Sequence, residues 1–461
     1  METNIIFGPP GTGKTTELLN IVEWEIKQGT PIDKIAFVTF TKKGAEEGKE
    51  RTLSRFNLEG KGDIPYFRTI HSLAFAGVNA KRNYMINRHN YYQFAKALGM
   101  HFTGFYSEEL QGNDDKYLHY ADMYRTNNKK SFDLLQEIDK NKAMFVMKNF
   151  AKFKKDLGIM DYTDLLENYI KQGVRCPVDV AIIDEAQDLT TLQWQFVWSA
   201  FAGCKRIYIA GDDDQALYEW AGADVETFLS IKGNYKVLSQ SYRLPVSLVD
   251  YASCITDNIV NRVPKEYAGL DKEGFVYYKN RVDDVVIKPD ETYMMLARNN
   301  IHLNMYKDYL NRMAIPYTVR GEAMFSKKDL DMIKLYEKVR KSRIVTKVDE
   351  VMLEPYLRSV NYKKQWFEIF NWPLVKINYI RQLAALGRLN NEPKVNVSTI
   401  HGVKGGEADN VILLSDITRQ VMTHYNKQAD SEHRCFYVGV TRAKKTVTVI
   451  KPTTKYSYKG L

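Results

Sequence analysis

Cysteine is scarce in this chain: four among 461 residues, Cys176, Cys204, Cys254 and Cys435, with no CxxC and no Cys/His grouping at metal-ligand spacing. That pattern excludes a disulfide scaffold and argues against structural zinc, and it suits a reducing compartment. Long apolar runs are missing too; those present are strand-length, well short of the roughly 18 residues that suggest a membrane span. Met1-Glu2-Thr3-Asn4 passes directly into a glycine-rich loop and leaves no room for a basic and apolar leader, so the expected compartment is the cytoplasm, with no membrane partner. There is no heptad run, low-complexity tract or short-period repeat.

What is present describes a globular protein of several domains. Apolar residues make up 44% and charged residues 26%, which is neither a disordered nor a fibrous composition. At roughly 100 to 200 residues per domain the length predicts two to four. The net charge of +10 is compatible with a polyanionic partner such as nucleic acid, although many basic proteins touch none.

The most informative stretch is the first. An Ile5-Ile6-Phe7 strand runs into Gly8-Pro9-Pro10-Gly11-Thr12-Gly13-Lys14-Thr15-Thr16, the GxxxxGK(S/T) spacing of a P-loop. Small residues let backbone N–H groups curl around a triphosphate, Lys14 reaches the β- and γ-phosphates, and the Thr15 hydroxyl meets Mg2+. An amphipathic helix over 15–28 and a strand over 35–40 complete a βαβ unit, which predicts a parallel sheet flanked by helices.

Acids follow where that chemistry needs them. The apolar strand Val180-Ala181-Ile182-Ile183 ends in Asp184-Glu185, a costly pair at the tip of a buried strand unless it binds something. With a P-loop in the same chain, Asp184 is the partner for the nucleotide's Mg2+, and Glu185 is the candidate to orient or deprotonate the attacking water. A third strand over 206–210 leads to Gln215, placed to hydrogen-bond a γ-phosphate, and to Trp220, a flat face for a base or an ordinary core residue.

Taken with the segments downstream, these stretches resemble the UvrD/Rep/PcrA family of superfamily 1 helicases. The match runs in one order through GPPGTGKTT, VTFTKKGAEE, RTIHSLA, MDYTDLL, IIDEAQD, IAGDDDQALYEWAGA, LSQSYRLP, MMLARNN, IPYTVRGEAMF, VSTIHGVKGGEADNVILL and EHRCFYVGVTRAKK. The resemblance implies an ATP- and Mg2+-dependent motor that moves 3′ to 5′ on single-stranded DNA and acts at single/double-strand junctions. It implies that Tyr242 stacks on adenine, that Glu407 contacts the ribose, and that Arg243 and Arg442 reach the γ-phosphate from the second core as arginine fingers. For the DNA track it nominates Phe40, Thr69, His71, Trp220, Thr399 and His401. Replication or repair proteins are the implied partners, a monomer the implied state, and a bacterial or phage-infected cell the implied setting.

The implied architecture is α/β: two RecA-like cores with mainly helical insertions. The first core is expected over 1–76 and 159–242, its insertion over 77–158, the second core over 243–340 and 394–461, and a small second insertion over 341–393. Within the first insertion, a lysine-rich helical pattern over 129–155 predicts Phe145, Phe150 and Phe153 as core under a basic face rather than as DNA contacts. Three departures from the family stand out. No glutamine segment precedes Gly8, Ala221 replaces the arginine that follows the motif tryptophan, and little chain follows Arg442, with Tyr456 or Tyr458 as the only obvious aromatic tips. The rival readings are a translocase that displaces proteins with little unwinding, and a nucleotide-gated DNA-binding regulator with little turnover. RNA is a further possible substrate, because stacking does not select deoxyribose.

Overall fold

A computed structural model describes residues 1–104, 114–127 and 139–461. It divides into two compact units, Met1–Lys272 with Gln428–Tyr437, and Glu273–Lys427 with Val438–Leu461.

The first unit is built on β1 (Glu2–Phe7), β2 (Ile35–Thr39), β3 (Phe67–Thr69), β4 (Val180–Asp184), β5 (Arg206–Gly211) and β6 (Asn234–Val237). They form one sheet in the order β3-β2-β4-β5-β1-β6, every neighbouring pair parallel. Runs such as Ile35–Thr39 and Val180–Asp184 are buried at every position, as strands covered on both faces must be. Alternate side chains go to opposite faces: Ile5, Phe7, Val38, Ile183 and Ile209 join one core, and Ile6, Phe37, Ile182 and Ala210 the other. Because the strands are parallel, the loops after β1, β2, β3, β4 and β5 all leave from one edge, which is where the sequence motifs sit.

The chain between β3 and β4 folds into the helices Arg88–Leu98, Asp115–Thr126 and Lys140–Leu157 around Phe94, Phe102, Tyr120 and Phe150. Asp139 caps the last of these through the N–H groups of Asn141 and Lys142, and Gly158 ends it in the left-handed region. The part of the lysine-rich pattern before 139 lies outside the described residues. Phe150 and Phe153 pack on Phe94, with ring centroids 5.0 and 5.3 Å away, while Phe145 is exposed. Phe150 is therefore core, Phe153 packs at its margin, and Phe145 is neither.

A ribbon of β7 (Gln240–Pro245) and β8 (Ala268–Leu270) belongs to the first unit as well. Arg243 accordingly lies in the same compact unit as the phosphate loop.

The second unit carries β9 (Phe275–Lys279), β10 (Tyr293–Ala297), β11 (Tyr317–Val319), β12 (Glu322–Ala323), β13 (Val395–Thr399), β14 (Ala408–Leu414) and β15 (Ala443–Ile450). Their order is β12-β11-β13-β10-β14-β15-β9, parallel throughout except for β11 with β12. A second, separate core forms from Met332, Tyr336, Phe370, Trp372 and Ile380, with Trp366 and Phe367 at its margin. Since the helix Lys327–Ser342 supplies Met332 and Tyr336, the packing of this insertion begins before residue 341. Among the described residues no helix is long and apolar enough to cross a membrane.

Candidate nucleotide and nucleic-acid sites

The loop Gly8–Thr16 is anchored at both ends by the sheet and the helix it joins. Gly8 N–H donates to Gly211 at 2.9 Å, Thr12 N–H and hydroxyl both donate to the Pro9 carbonyl, and the helix Lys14–Lys27 starts from Gly13. A Cβ on Gly8 would stand 2.9 Å from the Lys14 Cβ, so only glycine lets that side chain cross the loop. Thr15 is half-buried and Thr16 exposed.

Lys14 Nζ lies 3.3 Å from Asp184 Oδ1 and 2.9 Å from Glu185 Oε1. Burial works against the ammonium, yet the two carboxylates hold Lys14 above the usual lysine range. Burial pushes the Asp184 carboxyl up, against the pull of Lys14. The acids at the tip of β4 thus already accept a cation, and a carboxylate with the hydroxyl of Thr15, which follows Lys14, is the hard oxygen donor set that suits Mg2+.

Glu185 is held in the left-handed region at φ 55°, with Gln187 Nε2 donating to its Oε2 at 2.5 Å. Gln187 Oε1 accepts from Asp212 N–H at 3.1 Å, and Gln215 Nε2 donates to Asp212 Oδ2 at 2.6 Å. Lys14, Glu185 and Gln215, far apart in sequence, are in this way joined by one hydrogen-bonded path.

The strand β7 lies against the same loop. Tyr242 N–H donates to the Gly11 carbonyl at 2.8 Å, and Ser241 Oγ donates to the Pro10 carbonyl at 2.8 Å. The Tyr242 ring lies beside Gly13 and is 69% exposed, an open aromatic face at the phosphate loop. Arg243 packs its Cβ over Gly11. The β7–β8 pairing places it in the same compact unit as the phosphate loop.

Arg442 and Glu407 fall in the second unit. Arg442 is buried and donates to the carbonyls of Val438 at 3.0 Å and Gly406 at 3.4 Å and to Thr441 Oγ1 at 3.2 Å. Glu407 is exposed and pairs with Lys444 at 2.6 Å. Ala408 N–H donates to the Arg442 carbonyl at 3.0 Å, which brings the two segments together.

Of the residues nominated for nucleic acid, Thr69 ends β3 and Phe40 and His71 come just after the adjacent strands β2 and β3. Thr69 caps the helix Ile70–Gly77 by accepting from Ser72 N–H. The His71 and Tyr162 rings meet edge to face with centroids 5.4 Å apart, and Phe40 lies 5.7 Å from Tyr218. Burial draws His71 down to about 4, with Asp161 opposing, so the ring is neutral at pH 7. Trp220 lies 5.9 Å from His119, whose Nε2 is 3.2 Å from the Trp220 carbonyl; its own Nε1 is buried with no hydrogen-bond partner among the described residues. Thr399 and His401 belong to the second unit, where Thr399 Oγ1 accepts from Gly402 N–H at 3.3 Å.

Tyr218 and Tyr162, the latter 59% exposed, were not singled out from sequence. Both stand inside recognised motif stretches, and an aromatic beside a nominated contact was the available signal.

A model of the UvrD/REP helicase N-terminal domain matches residues 1–236, and one of the UvrD-like helicase C-terminal domain matches residues 332–454. A "Probable DNA helicase II homolog" of Mycoplasma capricolum is 23% identical over 414 residues, covering 77% of this chain and 56% of that one. An "ATP-dependent DNA helicase PcrA" of Staphylococcus aureus is 22% identical over 464 residues, covering 91% of this chain and 60% of that one. The chain thus spans little more than half the length of these relatives. Among solved structures, the arterivirus nonstructural protein 10 helicase aligns with 97% of this chain and 59% of its own at 10% identity and a TM-score of 0.39, a likeness too loose to argue from. With the first of those domain models matching just over half of its residues, the chain belongs to the UvrD/REP helicase family.

Proposed function

We propose that the protein hydrolyses ATP to move 3′ to 5′ along single-stranded DNA and to unwind duplex at single/double-strand junctions, in replication, repair or recombination. The observation that carries this reading is the path from Lys14 through Glu185, Gln187 and Asp212 to Gln215. A triphosphate in the Gly8–Thr16 loop takes Lys14 from its carboxylate partners. Glu185 is then free to hold the attacking water and accept its proton, and Gln215 is left to report on the γ-phosphate. Thr15 and Asp184 would hold Mg2+, which supplies positive charge against the phosphate oxygens. Tyr242 offers its exposed ring to the base and Glu407 its carboxylate to the ribose. Arg243 and Arg442 carry the planar guanidinium groups suited to the spread charge of a transferring phosphoryl group.

For the nucleic acid, stacking on Phe40, His71 and Trp220 accepts any base sequence, as a motor requires, and Thr69, Thr399 and His401 are the further contacts assigned to it. Tyr162 and Tyr218 extend that surface. That the relatives are described as DNA helicases favours DNA over RNA.

The test is steady-state ATPase activity with and without oligothymidylate, beside strand displacement on duplexes with 3′ or 5′ tails. Lys14→Ala should lower stimulated turnover by about a hundredfold or more while the protein stays folded. Turnover indifferent to DNA in the unaltered protein, or unwinding from 5′ tails alone, would overturn the reading.

A further inference from the structure

Three successive acids, Asp212, Asp213 and Asp214, are fully buried just beyond β5. Carboxylates so placed need cations, and both come from a single short loop. Lys265 Nζ stands 3.3 Å from Asp212, 2.5 Å from Asp213 and 2.9 Å from Asp214, its own side chain 1% exposed. Arg262 forks onto both oxygens of Asp214 at 2.9 and 2.7 Å, and Val263 N–H donates to Asp213 at 2.9 Å. The phenols of Tyr267 and Tyr437, 3.1 Å apart, face the same acids. Three acids and two cations leave the cluster one net negative charge.

Asp212 is also the joint of the path to the phosphate loop. Its Oδ2 accepts from Gln215, its N–H donates to Gln187, and Gln187 in turn holds Glu185, the partner of Lys14. One oxygen of Asp212 therefore meets Lys265 while the other orients the glutamine proposed to sense the γ-phosphate.

We propose that Lys265 is a positioning residue for nucleotide hydrolysis: by bridging Asp212 and Asp214 it fixes the Asp212 backbone and carboxylate, and through them the amides of Gln215 and Gln187 that set Glu185. This rests on the hydrolytic reading above. The bond from Gln215 requires Asp212 as an acceptor. Burial pushes that carboxyl up to about 6, with Lys265 pulling it down and Asp213 and Asp214 pushing it further up. Loss of Lys265 raises it again, so that Asp212 takes up a proton nearer neutral pH and the arrangement fails there.

Two variants separate positioning from charge balance. Lys265→Met leaves the acids short of a cation, whereas Lys265→Met with Asp213→Asn restores the single net negative charge without the bridge. The readouts are thermal melting, affinity for a fluorescent ATP analogue, and kcat of DNA-stimulated ATPase between pH 5.5 and 8.5. The double variant is expected to melt near the unaltered protein and to bind nucleotide within about threefold, yet to keep a kcat reduced by about tenfold or more. In Lys265→Met the acidic limb of kcat moves to higher pH. A double variant whose kcat returns together with its stability overturns the proposal, as does failure of both variants to fold, since Lys265 then serves the fold alone. Absence of turnover in the unaltered protein overturns the hydrolytic reading as well, and so is told apart from failure of this one.

Discussion

Gly11 and Arg243 meet so closely that a Cβ added to the glycine would stand 2.4 Å from the arginine Cβ. Gly11 also has φ +73°, a region costly for any residue with a side chain. Through this contact, and the bond from Tyr242 N–H to the Gly11 carbonyl, β7 fixes one wall of the phosphate loop. Gly11→Ala should therefore cost about 1 to 3 kcal/mol of stability from backbone strain and close contact, and should weaken nucleotide binding by at least about tenfold. Urea unfolding together with titration of a fluorescent ATP analogue checks both. Unchanged affinity would mean that β7 does not shape the loop.

His71 makes a prediction about pH. Its ring titrates at about 4 in the folded chain because it is buried, against roughly 6.5 when free. Between those values the unfolded chain takes up a proton that the folded chain refuses. The stabilising contribution is present above pH 6.5 and is lost as pH falls towards 4, by roughly 1 to 3 kcal/mol. His71→Gln should flatten the fall in stability between pH 6.5 and 4.5, measured by urea denaturation. Because the ring is neutral at pH 7, the same change should leave the salt dependence of DNA binding as it was.

The first insertion is tied to the helix Tyr162–Lys171 by charge. Arg125 meets Asp161 at 2.9 Å, Asp164 at 2.5 Å and Glu167 at 2.9 Å, and Lys154 adds contacts to Asp161 and Asp164. Without Arg125 the acids Asp161 and Asp164 keep only Lys154 and Glu167 loses its cation, so Arg125→Met should cost about 1 to 3 kcal/mol. Limited proteolysis should then cut within residues 77–158 first. Adding Glu167→Gln should recover part of the loss; an additive further loss would show that the ion pairs contribute nothing.

The parts that sequence made legible are those whose physics is local. Buried parallel strands are continuous apolar runs, so the strands expected over 180–183 and 206–210 each extend by one. The phosphate loop and the Asp184-Glu185 pair likewise follow from short spacings. What escaped is long-range pairing. Arg262 and Lys265 sit in a polar loop with nothing to mark them, and their partners Asp214 and Asp213 lie 48 and 52 positions away. The unit to which Arg243 belongs is decided by the pairing of β7 with β8, across a helix and a loop. The helix Lys327–Ser342 reads as amphipathic in sequence whichever core its apolar face joins, so its packing with Phe370 and Trp372 is not legible there.

Tyr162 and Trp220 give the last prediction. Tyr162 is 59% exposed and meets His71 at a steep angle, whereas Trp220 is half-buried against His119 and can lose more than stacking when removed. A stacked base is worth about 1 to 3 kcal/mol, or roughly 5- to 150-fold in affinity. Tyr162→Ala should weaken binding of oligothymidylate within that range, with Tyr162→Phe restoring it, because the hydroxyl takes no part in stacking. Trp220→Ala should weaken binding at least as much and also reduce the stimulation of ATPase by DNA, since Trp220 lies five residues from Gln215 on the same loop. Fluorescence anisotropy with labelled oligothymidylate measures the first effect and ATPase titration the second. Equal affinity in Tyr162→Ala and the unaltered protein would remove Tyr162 from the track and leave the nucleotide site unaffected.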